Sequence, residues 1–142
     1  MNAIILTPAG ATQTQSFDWG ELTWFASKAL GNQEDITVGR CVVKPGCENP
    51  LHHHPNCSEV LVVAQGTIEH TAADGKVAVL RAGDVASIPP NVWHHARNIG
   101  ADDAIVWISF SSATRETVGP GVGTAPPAAF AATTLASRRT GR

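Results

Sequence analysis

Between about residues 17 and 113, short runs rich in Val, Ile, Thr and aromatic residues are broken every eight to twelve positions by Gly, Pro, Asn or Asp. This rhythm is that of antiparallel strands in a sandwich or barrel. It predicts strands at Glu21–Ala26, Ile36–Val43, Glu59–Val63, Gly66–Thr71, Lys76–Leu80, Val85–Ile88, Trp93–Asn98 and Ala104–Phe110. The intervening "KPGCENP", "AADGK", "RAGD", "PPN" and "NIGADD" supply positive-φ residues or fixed proline dihedrals for the turns. No stretch sustains a helical period, and the best helical candidate, Ser27–Leu30, is short. The expected fold is therefore all-β, a single antiparallel barrel.

The same pattern divides the chain into an N-terminal segment over 1–16, a barrel over 17–115 and a Gly/Pro/Ala-rich tail over 116–142. In that tail only Phe130 and Leu135 are large apolar anchors, so burial there cannot offset the entropy of ordering. A mobile tail, or one lying over a neighbouring surface, is expected.

Composition narrows the function classes. The 142 residues, 43% of them apolar, suit one domain with one core. Ten basic and twelve acidic residues give a net charge of −2, and no basic stripe carries interleaved aromatics, so nucleic acid is not an expected partner. Ala3–Leu6 is too short an apolar run for a membrane span or a signal peptide, which makes a soluble cytoplasmic protein the expectation. Cys41, Cys47 and Cys57 fit no paired zinc or redox spacing and read as small buried or half-buried thiols.

The chemistry concentrates in "GCENPLHHHPNCSEVLVVAQG", residues 46–66. In extended chain, side chains alternate, so His52 and His54 share one side and His53 takes the other. Glu59 opens a strand whose core-facing row continues through Leu61 and Val63, which puts a carboxylate at the mouth of an apolar interior. A buried carboxylate needs a positive partner. A further histidine comes from "GDVASIPPNVWHHARN", where His94 and His95 face opposite ways and only one turns inward. Three neutral imidazoles and one carboxylate would leave a divalent ion with positions open in an octahedral shell, as a catalytic metal requires. The donor set suits Mn, Fe, Ni, Cu or Zn and does not select among them.

These residues resemble the two motifs of the cupin superfamily. Gly46, His52, His54, Glu59 and Gly66 fit G-x5-H-x-H-x4-E-x6-G. Gly83, Pro89, His94 and Asn98 fit G-x5-P-x-G-x2-H-x3-N, with Asn91 in the place of its second glycine; Asn is the next best residue at positive φ. The resemblance spans roughly residues 35–112, with 16 residues between the motifs, as in small single-domain microbial cupins. It implies a jelly-roll barrel of six to eight strands, one metal held by His52, His54, Glu59 and His94, and a homodimer. Pairing or swapping of N-terminal strands such as "DWGELTWFA" would cover the sheet edges of that dimer.

Other residues carry two readings each. Arg40, in a strand expected to line the barrel, is either an inward guanidinium holding a substrate carboxylate or a surface ion pair. His53 and His95 are expected at the surface or an interface, and His70 in solvent. Trp24, Trp93 and Trp107 belong either to the pocket or, as large aromatics more often do, to the core or an interface. Glu48 and Asn49 precede the ligands and are candidates to support them.

Small cupins with this ligand set resemble dioxygenases of small dicarbonyl, enol or phenolic compounds, which favours Fe(II) or Mn(II) and a small-molecule substrate. The ending "WISFSSATRETV" is also similar to the F-x-P-x-R-E-D close of cupins that act on unsaturated uronate sugars, but Ser112 replaces the proline and Arg115 falls one residue late. A redox-neutral isomerase or cyclase, of uronate or polyketide type, and a non-catalytic ligand sensor are the competing expectations.

Overall fold

The computed structural model describes residues 3–72 and 74–120. A 3-10 turn at Ala9–Ala11 precedes nine strands: β1 Gln13–Phe17, β2 Gly20–Ala26, β3 Thr37–Val43, β4 Glu59–Gln65, β5 Thr67–Thr71, β6 Val77–Arg81, β7 Val85–Ile88, β8 His95–Asn98 and β9 Ala104–Phe110. They form two antiparallel sheets, one of six strands in the order β1-β2-β3-β9-β4-β7 and one of three in the order β6-β5-β8. The expected all-β, double-sheet jelly roll is what the chain adopts. No helix among the described residues is long and apolar enough to cross a membrane.

Alternation builds the core. β3 buries Thr37, Gly39, Cys41 and Val43, β9 buries Ala104, Val106, Ile108 and Phe110, and β4 buries Glu59, Leu61 and Val63. Registry aligns these rows: Cys41 faces Val106, Leu61 faces Ile108, and Glu59 lies between Phe110 and Ile88. Ile68, wholly buried on β5, closes the core from the second sheet.

Three details depart from the expected elements. β1, "QTQSF", was not foreseen, because every one of its residues is exposed and no apolar alternation marks it. It pairs with β2, so the "DWGELTWFA" strand expected to reach another subunit has one edge covered by its own chain and the other by β3. Ser27–Leu30 forms turns, closed by the Gly31 N–H donating to Lys28 O and the Leu30 N–H to Ser27 Oγ.

Two motif positions earn their identity from backbone shape. Asn91 is the one non-glycine residue at positive φ among the described residues, at 66°. That accounts for an Asn where the resemblance has Gly. Gly66 sits at φ 87° beside β9, where a Cβ would come within 3.0 Å of Ala104 Cα. Asn98 is fully buried and satisfied: Nδ2 donates to Val43 O and Asp102 O, both at 2.8 Å, and Oδ1 accepts from Gly100 N–H. Its work is structural, tying β8 to the end of β3.

The chain beyond β9 does not leave the barrel at once. Residues 113–119 fold back over the histidine loop, with Ala113 buried and Val118 exchanging both backbone hydrogen bonds with His53. Phe130, Leu135 and most of the expected tail lie outside the described residues.

Candidate metal centre

The loop between β3 and β4 runs in extended form beside the chain entering β8. His52 and His94 exchange both backbone hydrogen bonds, N–H to O at 3.1 and 2.9 Å, and Glu48 bridges Arg97 in the same antiparallel sense. Side chains directly opposite in such a pair share a face. The His52 and His94 rings therefore meet, with centroids 4.3 Å apart, and the His54 ring joins from two residues on, 4.9 Å from that of His52. Backbone groups of His53 turn the other way, to Val118. The loop thus behaves as a short strand between two neighbours, which is why alternation holds through it.

Glu59 enters from the end of β4. Its Oε1 lies 3.2 Å from both His54 Nε2 and His94 Nε2. One ligand atom from each of His52, His54, Glu59 and His94 lies within 4.8 Å of all the others. His94, not His95, is the inward member of its pair.

The far side of each ring is fixed. Nδ1 of His52 lies 2.6 Å from Pro50 O, that of His54 2.8 Å from Glu116 O, and that of His94 2.8 Å from Val92 O. A carbonyl only accepts, so each Nδ1 carries the proton and donates it. Each Nε2 is then left with a lone pair directed at the same space as the Glu59 carboxylate. His54 Nε2 is buried there with no hydrogen-bond partner. Lone pairs converging on a buried carboxylate repel unless a cation stands between them, and this is the arrangement in which backbone carbonyls orient imidazoles for a metal. The residues fit a divalent transition ion.

Electrostatics agree. Burial alone would raise the Glu59 carboxyl, but its contacts with the His54 and His94 rings hold it well below the usual carboxylate range. Burial, reinforced by His94 and His54, lowers His52 to about 3. Burial and then the Glu59 charge push the Cys41 thiol up to about 12. Cys41 lines the same cavity but is not among the four residues whose ligand atoms converge, so that donor set is nitrogen and oxygen.

The cluster sits in a cavity of about 240 Å³ with walls including Trp24, Leu61, Val106 and Ile108, and Phe17 and Trp19 stack against each other on its lining with ring centroids 5.0 Å apart. Asn49 also lines it, and its Oδ1 accepts the Ala96 N–H at 2.8 Å, so it supports the ligand loop as expected. Glu48 Oε2 lies 3.4 Å from His95 Nδ1.

Several expectations are corrected. Arg40 does not reach the cavity. Inward positions of β3 are the odd-numbered ones, and Arg40 emerges on the outer face over the Phe25 ring, 3.7 Å from Glu21. Both parities of β3 hold valines, so the sequence did not reveal the inward row. The guanidinium at the cavity belongs to Arg115. His70 is buried, not solvated, and stacks on His94 at 5.6 Å. That placement was available from alternation, because His70 shares a strand face with Ile68. Burial, then His94, lowers His70 to about 4. His53 and His95 are buried as well; His53 packs on Trp93 at 4.5 Å. Trp24 lines the cavity, Trp93 packs with Leu51 apart from the main core, and Trp107 stands on the outer face beside Phe25. All three cysteines are free, Cys41 and Cys57 buried and Cys47 partly so.

Comparison with known proteins agrees with this geometry. The auxin-binding protein ABP19b of Prunus persica is 39% identical over 93 residues, covering 62% of this chain and 44% of that protein. Germin-like protein subfamily 3 member 3 of Arabidopsis thaliana is 35% identical over 100 residues, covering 68% and 45%. The chain thus spans less than half the length of these curated relatives. A solved oxalate decarboxylase of Lactobacillus farciminis, in a formate complex, superposes with a TM-score of 0.71 at 23% identity, over 78% of this chain and 34% of that one. An oxalate decarboxylase of Bacillus subtilis, studied for its Mn(II) centers, gives 0.68 at 24%, over 75% and 29%. The sequence profile of the Cupin domain matches residues 39–110, just over half of the chain, and this protein belongs to the cupin family.

Proposed function

We propose that the protein is a metal-dependent enzyme that binds one divalent transition ion through His52, His54, Glu59 and His94 and oxidises a small dicarbonyl, enol or phenolic compound with dioxygen. The observation carrying this reading is the convergence of four ligand atoms within 4.8 Å, with each imidazole anchored through Nδ1 to a backbone carbonyl. Fe(II) or Mn(II) is favoured over Zn, Ni or Cu; the Mn(II) centers of the Bacillus subtilis oxalate decarboxylase lend support through the shared fold. When bound, such an ion supplies Lewis acidity and a site for dioxygen or a chelating oxygen pair.

The chain's own residues do the rest. Glu59 stays ionised, the Nδ1 anchors keep the rings aimed, and the apolar walls exclude bulk water. A homodimer belongs to the proposal, supported by exposed Trp107, Val60 and Val85 on the outer face of the six-stranded sheet.

A second reading, a redox-neutral isomerisation or cyclisation, is favoured by one observation: Arg115, from the run that resembles the uronate-acting cupins, lines the cavity. One experiment separates the two. The iron- or manganese-loaded protein is given a panel of diketones, phenols and flavonols in an oxygen electrode; oxygen uptake tied to substrate loss supports the oxygenase. Turnover that persists without oxygen supports the second reading instead.

A further inference from the structure

Arg115 and Glu59 are the charged residues among the Asp, Glu, Lys and Arg side chains of the cavity lining, within the described residues. Glu59 is engaged by imidazoles. Arg115 has no carboxylate within ion-pair distance among the described residues. Its guanidinium carbon stands 4.2 Å from the Trp24 ring centroid and 5.1 Å from that of Phe110, and its Nη1 donates to Thr117 Oγ1. Neither ring accepts a conventional hydrogen bond from the guanidinium; both hold it by the cation–π attraction. Of its five N–H donors one is given to Thr117, and the fork geometry of the rest suits a carboxylate.

The position of this cation matters. Phe110 touches both sides of the problem: its ring is 4.8 Å from the His54 ring and 5.1 Å from the Arg115 guanidinium. The Thr117 hydroxyl that Arg115 contacts also lies 3.2 Å from His54 Nδ1, so the cation stands directly beside the ligand cluster. With a divalent ion bound, the lining carries two excess positive charges and no free anion to balance them. The balance has to come from what binds.

We infer that the substrate is a small organic anion whose carboxylate is held by Arg115 while an oxygen at its other end reaches the metal cluster. The cavity volume, about 240 Å³, is worth about eight waters, so the molecule is compact. This inference rests on the metal-binding reading of the same cavity. It makes Arg115 the specificity determinant for acids over their neutral analogues.

The test compares 4-oxopentanoate, 5-oxohexanoate and 6-oxoheptanoate with their amides, titrated calorimetrically into Mn(II)-loaded wild type, Arg115→Met and Arg115→Lys. Metal stoichiometry and thermal midpoint are recorded for each. In wild type at least one keto acid binds roughly tenfold or more tighter than its amide, as a charge-assisted fork provides. Arg115→Met reduces that preference to about twofold or less with metal content unchanged, and Arg115→Lys, which keeps the charge without the fork, retains part of it. A preference that survives in Arg115→Met, or keto acids that bind no better than their amides in wild type, overturns the inference. If metal analysis finds no ion, the metal reading fails separately. Phenylacetate against phenylacetamide on metal-free wild type and Arg115→Met then decides the role of Arg115: an acid preference lost in the variant upholds it, and no preference overturns it.

Discussion

His52, His54 and His94 form one region of the molecule and His53, His70 and His95 another, and burial does not tell them apart. His53, His54, His70, His94 and His95 are all buried, while the ligand His52 is the more exposed one. The first three are distinguished by what holds them. Each is clamped at Nδ1 by a carbonyl, from Pro50, Glu116 or Val92, so that its Nε2 meets the Glu59 carboxylate. In the other three, the ring is packing: His53 on Trp93, His70 on His94, His95 beside Glu48. A buried histidine in this barrel is a ligand when its backbone register and its second nitrogen both commit it.

The largest expected effect breaks the first region directly. Glu59→Ala or His94→Ala removes a donor, and metal affinity falls by more than the roughly 10–100-fold that loss of a supporting group costs, so dialysed protein keeps well under one ion per chain. His95→Ala, one residue away, leaves metal content nearly unchanged. Equal losses in His94→Ala and His95→Ala, read by metal analysis, would erase the distinction.

Next in size is the frame behind the ligands. Asn98→Ala leaves Val43 O, Asp102 O and Gly100 N–H without their partner in a buried site, for a loss on the order of 3 kcal/mol in denaturant unfolding. The metal donors themselves are untouched. An unchanged denaturation midpoint would refute that structural role.

The metal-free protein also responds to acid in a defined direction. His70 is held down to about 4 and His52 to about 3, so between the ordinary imidazole value near 6.5 and those values only the unfolded chain takes up their protons. Their contribution to stability is whole above pH about 6.5 and declines as pH falls toward the folded values, by about 1.4 kcal/mol per pH unit for each ring. Thermal melts of stripped protein from pH 8 to 5 read this slope. A flat profile would mean that these two rings are not held neutral in the fold.

The smallest effect lies outside both regions. Asn91→Val puts a β-branched residue at φ 66° and costs about 1–2 kcal/mol, whereas Asn91→Gly is neutral or slightly stabilising; unfolding midpoints distinguish them.

How much of this the sequence revealed follows from the same physics. Glu59 was legible because it continues the row of Leu61 and Val63, and His52 and His54 because the loop that carries them is extended enough to alternate. β1 was not legible: "QTQSF" buries nothing, and its place comes from pairing with Thr23, Trp24 and their neighbours. Arg40 stayed open between two readings because Val38 and Val42 on its own face are as apolar as the core row of β3, and the surface ion pair is the one the fold adopts. His70 was legible in principle through Ile68, though its polar setting beside "TAADG" argued for solvent. Arg115 was marked only by its likeness to the uronate-acting close, and the Glu116 carbonyl by nothing, because a residue after the last strand is placed by tertiary contacts with His53 and His54, not by a local period. Sequence patterns of this kind locate donors; they do not show what aims them.

The most direct measurement is X-ray absorption at the metal edge of the manganese- or iron-loaded protein. The account predicts a first shell of nitrogen and oxygen alone, at roughly 2.0–2.2 Å by analogy with metal–imidazole and metal–carboxylate distances, with the outer-shell scattering of three imidazoles. A sulfur contribution from Cys41, or fewer than two imidazoles around the ion, would contradict it.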